Sequence, residues 1–176
     1  MRRSKASRPM IMDACVLIDF IKAERTILEL VVKHIGPLHI PSPVVEEINE
    51  IDDENELVEL GLVILEPEIE DAFAAATPSG PISFQDRLCL LAAKRHGFTC
   101  VTNDKNLRNL CKQEDVPLFW GLELIAKLHR VGGITGKDAE IIAKAIRKSN
   151  PKHTTVKIIS RFTNIIRRQE SRRFRP

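Results

Sequence analysis

Short apolar segments alternate with longer helical patterns from residue 10 to about residue 130, and this alternation limits the possible folds more than any other feature. Alternating strands and helices favour a parallel sheet whose two faces are covered by helices. We therefore predict an α/β fold, a three-layer α/β/α sandwich with a parallel sheet of four or five strands. The segments predicted as strands are residues 10–13, 38–40, 62–65, 98–102 and 117–119.

Helical patterns fill the segments between these strands. Residues 15–35 have one such pattern with a break near 22–25, and residues 43–60 have a weaker, broken one. The clearest helix follows Ser83 and ends at Gly97, because glycine commonly closes a helix. The other helices predicted in this part of the chain cover residues 68–76, 104–114 and 121–130.

The character of the chain changes after the glycine pair at 132–133. Thr135 and Asp138 have the spacing of a capping box, which opens a helix through about Lys148. A final helix is predicted over 154–169, with one apolar stripe formed by Ile158, Ile159, Phe162, Ile165 and Ile166. We therefore predict a basic N-terminal tail (1–9), an α/β domain (10–130) and a basic helical C-terminal extension (131–176).

The net charge of +3 conceals an uneven distribution of charge along the chain. Residues 1–9 contain four basic residues and no acidic one, and residues 144–176 contain eleven basic residues and one glutamate. The intervening body, 10–143, keeps 12 basic and 23 acidic residues. An acidic body with basic ends predicts a group of carboxylates in the domain and a cationic surface for an anionic partner.

Several classes of protein are excluded at this stage. No apolar run approaches the ~18–20 residues of a membrane span, and no signal-peptide pattern follows the basic start. The four cysteines are too few for a disulfide framework and lack the spacing of a zinc site, so they are expected in the core. We expect a cytoplasmic protein without a membrane partner. The cysteines are Cys15, Cys89, Cys100 and Cys111.

Four acidic residues stand in distinctive positions. Asp13 ends the first predicted strand, Glu47 lies in the broken helical segment, Asp86 opens a helix, and Asp104 follows the fourth strand. Each has an ordinary interpretation, because Asp commonly caps a helix and Glu commonly lies on a solvated helix face. Together, however, they are expected at one edge of a parallel sheet, where sites form.

Clustered carboxylates repel one another unless a cation neutralises them. Their hard oxygen ligands suit Mg²⁺ or Mn²⁺. Such a metal polarises a phosphoryl oxygen and activates water at neutral pH. The four acids therefore favour phosphodiester hydrolysis.

The ordered motifs resemble the PIN domain, the fold of the VapC-type toxin ribonucleases. The resemblance lies in Met12-Asp13-Ala14-Cys15-Val16-Leu17-Ile18, Val45-Glu46-Glu47-Ile48, Ser83-Phe84-Gln85-Asp86 with Ala93-Lys94-Arg95-His96-Gly97, and Val101-Thr102-Asn103-Asp104-Lys105-Asn106-Leu107. It covers roughly residues 10–130.

This resemblance implies that Asp13, Glu47, Asp86 and Asp104 form an acidic pocket that binds Mg²⁺ or Mn²⁺ and positions water for attack on RNA. It also implies supporting roles for Thr102 and Asn106, a cognate antitoxin as partner, and a homodimer. Two positions depart from the family pattern. Cys15 replaces a hydroxyl or amide residue, and Asn106 replaces a further acid. Both changes are expected to lower metal affinity or activity.

Binding of RNA requires cations that meet its phosphates. Lys144, Arg147, Lys148, Arg161, Arg167 and Arg168 are the candidates of the C-terminal extension. The alternative is that these residues form an ordinary solvated helix face. A basic amphipathic helix can also lie on a membrane, an interpretation that we rank lower.

The leading hypothesis is a divalent-metal-dependent endoribonuclease, either a toxin of a toxin–antitoxin pair or a related standalone PIN nuclease. One alternative is a non-catalytic PIN-like module that binds RNA or protein, and the departures at Cys15 and Asn106 motivate it. A second alternative is a phosphatase-type hydrolase with Asp13 as nucleophile. The absence of a second aspartate at position 15 argues against this last hypothesis.

Overall fold

The computed structural model describes residues 8–77 and 80–173. In this part of the chain, five parallel strands form one sheet in the order β3-β2-β1-β4-β5. The three-layer α/β/α prediction is confirmed, with a C-terminal group of helices. The strands are β1 (Met10–Met12), β2 (Leu38–Pro41), β3 (Val63–Leu65), β4 (Thr99–Val101) and β5 (Leu118–Phe119).

Burial follows the position of each strand in the sheet. Every residue of β1 and β4 is buried, because helices cover both faces of these central strands. The edge strands β3 and β5 are only partly buried. Parallel strands enclosed on both faces are apolar throughout rather than alternating, and this explains why Met10-Ile11-Met12 is recognisable from sequence.

The helices occupy the intervals between these strands. One layer contains α6, which packs against β1, β2 and β4, together with its neighbours α5 and α7. The helix bounds are α1 (Ala14–Glu24), α2 (Thr26–His34), α3 (Ser42–Val45), α4 (Asn55–Glu59), α5 (Ile69–Ala76), α6 (Phe84–His96), α7 (Lys105–Gln113), α8 (Gly121–Val131), α9 (Gly136–Ser149) and α10 (Val156–Arg173).

The predicted helical pattern over 43–60 is mostly wrong. It yields only the four-residue α3 and the five-residue α4, and residues 46–54 between them form turns. This linking segment contains six acidic residues. Like charges spaced along a helix repel one another, so a helix through this segment is disfavoured. Lys22 offsets part of this charge through an ion pair with Glu50 at 2.8 Å, and Arg25 pairs with Glu56 of α4 at 2.6 Å.

The C-terminal helices complete the hydrophobic core. Helix α9 packs against α1, and α10 packs against α8 and α9. Phe162 and Ile166 are buried, whereas Ile165 is 42% exposed and does not belong to the buried stripe as predicted. The hydrophobic core therefore continues across the boundary predicted at residue 131, since α9 and α10 pack against helices of the preceding segment. None of the helices described here is long and apolar enough to cross a membrane.

Candidate functional site

The candidate site lies at the carboxyl end of the sheet, between the central strands β1 and β4. Successive strands run outward from β1 through β2 to β3, and then from β4 to β5 on the other side. Ligands of parallel α/β sheets bind at such a reversal of strand order, just beyond the carboxyl ends. Asp13 follows β1 directly, and Thr102 follows β4.

Asp13 is buried at this point and caps helix α1. Its side chain is 2% exposed, and its Oδ1 accepts a hydrogen bond from the backbone nitrogen of Val16 at 3.0 Å. The hydroxyl of Thr102 donates to Oδ2 through a short hydrogen bond. The thiol of Cys15 lies 3.1 Å from both carboxylate oxygens. All three donors are uncharged, so the carboxylate is fixed in place but not neutralised.

The four predicted acids influence one another through Asp86. Burial raises the pKa of Asp13 to about 6, and the charge of Asp86 adds to this rise. Partial desolvation raises the pKa of Glu47 as well, although this residue is exposed by its surface area, and the charge of Asp86 again contributes. The pKa of Asp86 is itself raised by burial and by the charge of Asp104. The charge of Asp86 thus acts on Asp13 and Glu47, and that of Asp104 acts on Asp86, while the catalytic and metal-binding roles of the four acids stay predictions.

Thr102 connects the first and fourth motifs. It is completely buried, donates to Asp13, and accepts a hydrogen bond from the backbone nitrogen of Asp104 at 2.9 Å. The Asp104 carboxylate in turn accepts from the backbone nitrogen of Leu107 at 2.7 Å and caps α7. The supporting role predicted for Thr102 has a geometric basis, because one hydroxyl orients both strand ends.

Asn106 and Glu47 lie in surroundings that the sequence did not predict. The Asn106 amide donates to the carbonyl of Pro81 at 3.1 Å, so it joins α7 to the loop before α6. Glu47 was expected on a helix, but it lies in the turn after α3 and is exposed.

The thiol of Cys15 occupies the place of the hydroxyl expected by resemblance. Burial and the charge of Asp13 both raise the pKa of this thiol, so it stays protonated and can donate to the carboxylate. A thiol is a weaker donor than a hydroxyl, and Asp13 is therefore held less strongly than a serine would hold it. This contact is the physical consequence of the departure at position 15.

A second buried acid, Asp19, escaped the sequence analysis. It is 4% exposed and accepts hydrogen bonds from the amides of Asn103 at 3.3 Å and Asn150 at 3.1 Å. Asn103 also accepts from the backbone nitrogen of Gly121 at 3.0 Å. Asp19 therefore joins the fourth motif to the end of α9. Its burial could have been predicted from its position within the apolar run Val16-Leu17-Ile18-Asp19-Phe20.

A cavity of about 520 Å³ opens beside Asp104 and Cys15. The C-terminal extension contributes residues from Ile146 to Ile158 to its wall. The six cations predicted to bind RNA are exposed on α9 and α10, and none of them lines this cavity. Its basic lining residues are instead Lys105, Arg108, Lys152 and His153.

The chemistry of the acidic residues fits Mg²⁺ or Mn²⁺, although their positions do not form a closed metal site. Within 8–77 and 80–173, no group of three or more His, Cys, Asp or Glu residues could hold a metal ion as it stands. In the same ranges, none of the four acids forms an ion pair with Lys or Arg. The donors are all oxygens and their charge is uncompensated, which is what a hard divalent cation requires.

Comparison of the chain with protein-family models, curated proteins and solved structures gave no match. The resemblance to the PIN domain therefore rests on the ordered motifs, and the site is interpreted from its own geometry.

Proposed function

We propose that this chain is a divalent-metal-dependent endoribonuclease that hydrolyses RNA phosphodiester bonds at the site of Asp13, Glu47, Asp86 and Asp104. The observation that carries the proposal is the state of Asp13. This carboxylate is buried at the reversal of strand order, its pKa is raised to about 6, and only uncharged donors contact it. A buried, uncompensated carboxylate is costly to the fold, and such groups are concentrated at functional sites.

The residues of the chain have separable roles in this proposal. Thr102 and the backbone nitrogen of Val16 fix the orientation of Asp13. The cap of α7 fixes Asp104. Glu47 is exposed and its pKa is raised, so its carboxylate is suited to accept a proton from water at the mouth of the site. Bound Mg²⁺ or Mn²⁺ would supply polarisation of the phosphate and activation of water.

The test is cleavage of a labelled single-stranded RNA with Mg²⁺ or Mn²⁺, and with a chelator in parallel. Asp13→Asn and Asp104→Asn should abolish metal-dependent cleavage while the protein stays folded. Asp52→Asn is the matched control, because it removes one exposed carboxylate in the turn segment outside the site. Full cleavage by both site variants would refute the assignment.

The resemblance to the PIN domain also supplies the biological setting that we propose for the nuclease. We assign the chain to the cytoplasm as a homodimeric toxin with a cognate antitoxin. A small neighbouring open reading frame should encode a DNA-binding protein that co-purifies with the chain and suppresses cleavage. Failure of such a protein to suppress cleavage would remove the toxin assignment but not the nuclease assignment.

The second candidate function is a non-catalytic module that binds RNA or protein. It is favoured by the weak thiol donor at Asp13 and by the open arrangement of the acids in the described residues. Titration of metal into a complex with a defined RNA separates the two functions. A nuclease cleaves the RNA as metal is added, whereas a binding module retains it intact.

A further inference from the structure

We infer that the 520 Å³ cavity beside Asp104 is a subsite that seats one nucleotide of the RNA strand next to the acidic residues. This inference rests on the proposed function and adds the place where the strand is held. Asp104 and Cys15 line the cavity and also belong to the acidic site. An occupant of the cavity is therefore adjacent to the carboxylates, and the volume lies within the ~300–1,000 Å³ typical of ligand pockets.

The cavity contains a preformed surface for stacking a base. The guanidinium of Arg108 lies 3.8 Å from the centroid of the Trp120 ring. The same guanidinium donates to the backbone carbonyl of Asn103 through a short hydrogen bond. These two contacts fix the plane of the side chain. Aromatic rings and arginine planes are the surfaces on which unpaired RNA bases stack.

The basic residues of the cavity are available to phosphate. Lys105 and Lys152 are exposed and line the cavity, one from α7 and one from the segment after α9. Neither these lysines nor Arg108 forms an ion pair with any residue that the structure describes. Proteins hold single strands by combining free cations with stacking surfaces, and this cavity offers both.

Another, larger cavity among the described residues provides a contrast. It has a volume of about 660 Å³ and lies between α2, α8 and α9. Its charged lining residues include Glu24, Asp138 and Glu170, and no lysine or arginine lines it. This cavity would repel phosphate, so of these two cavities the one beside Asp104 has the charge that suits RNA.

Trp120 allows occupancy to be measured directly. It is the only tryptophan of the chain, and the chain has no tyrosine. A short oligouridylate is titrated into the metal-free protein with chelator present, so that the RNA is not cleaved. We expect saturable quenching of Trp120 fluorescence, with uridine monophosphate binding much more weakly than the oligonucleotide.

Two charge-matched double variants test the position of the strand. Lys105→Gln with Lys152→Gln should weaken RNA binding about tenfold and reduce the salt slope by about 1.4, for two lost contacts to a single strand. Lys33→Gln with Lys112→Gln removes the same charge from exposed positions outside the cavity and should change affinity less than about twofold. Arg108→Lys keeps the charge but loses the stacking plane, and should weaken binding about tenfold.

The possible results separate this inference from the proposed function. Equal effects of the two double variants, or no effect of either, would overturn the subsite. Uridine monophosphate binding as tightly as the oligonucleotide would also overturn it, because the cavity would then hold a free nucleotide. A protein that binds RNA through the cavity but never cleaves it with metal would pass this test and fail the proposed function.

Discussion

Replacement of Asp13 by asparagine should stabilise the metal-free protein at neutral pH. Asparagine has the same shape as aspartate and caps helices equally well, so it can keep the hydrogen bond from Val16. Its amide can donate to the hydroxyl oxygen of Thr102, which now donates to Asp13. The substitution therefore removes a buried charge and preserves the local geometry.

The size of the effect follows from the pKa of Asp13, which burial raises from 3.8 to about 6. One pKa unit corresponds to about 1.4 kcal/mol, so ionised Asp13 costs the folded state about 3 kcal/mol at pH 7. Between these two pKa values the folded state binds more protons than the unfolded chain. The contribution of Asp13 to the stability of the wild-type protein is therefore most favourable below pH 3.8, and it is lost as the pH rises through 6.

Urea denaturation at pH 4 and pH 7, followed by the fluorescence of Trp120 with chelator present, measures the effect. The Asp13→Asn variant should be more stable by about 3 kcal/mol at pH 7, or about 6–12 °C in melting temperature for a chain of this size, and nearly equal at pH 4. The exposed control Asp52→Asn should differ by less than about 0.5 kcal/mol at both values. If Asp13→Asn is no more stable than the wild type at pH 7, Asp13 is an ordinary helix cap and the reasoning fails.

Two further substitutions test the neighbouring contact and the C-terminal packing. Cys15→Ser replaces a thiol donor 3.1 Å from Asp13 with a stronger hydroxyl donor, and should raise Mn²⁺ affinity in calorimetry by about threefold, whereas Cys15→Ala should lower it. Equal affinities of both variants would show that this contact does not act on the site. Phe162→Ala should cost about 3–5 kcal/mol of unfolding free energy, because Phe162 is 3% exposed, while Ile165→Ala at an exposed position should cost under about 1 kcal/mol. Similar costs for these two would contradict the packing of α10.

The sheet was predictable because its signals are local. The central strands are short, buried and mostly apolar, and each leads into a helix with its own cap. Asp13 and Asp104 are such caps, which accept hydrogen bonds from the backbone nitrogens of Val16 and Leu107. Because parallel strands point in the same direction, the residues that follow their carboxyl ends are expected at the same edge of the sheet.

The cavity was not predictable, because its parts are distant in sequence. Asn150 reaches Asp19 across 131 positions, and Arg108 lies on Trp120 only after α7 and β5 have packed. Neither contact follows from hydrophobic periodicity or capping motifs, which describe neighbouring residues. The helix predicted through 46–54 was wrong for a different reason, because repulsion between its acidic residues outweighs the weak helical pattern.

The C-terminal extension cannot be treated as a removable RNA-binding tail. Deleting residues 144–176 would remove eleven basic residues, but it would also remove Ile146, Phe162 and Ile166 from the core. Any loss of binding would then reflect unfolding as much as lost charge. The same packing carries Asn150 to Asp19 and places Lys152 in the cavity beside Asp104. The acidic body and the basic end of the chain thus meet at one place, and single charge substitutions there separate binding from folding.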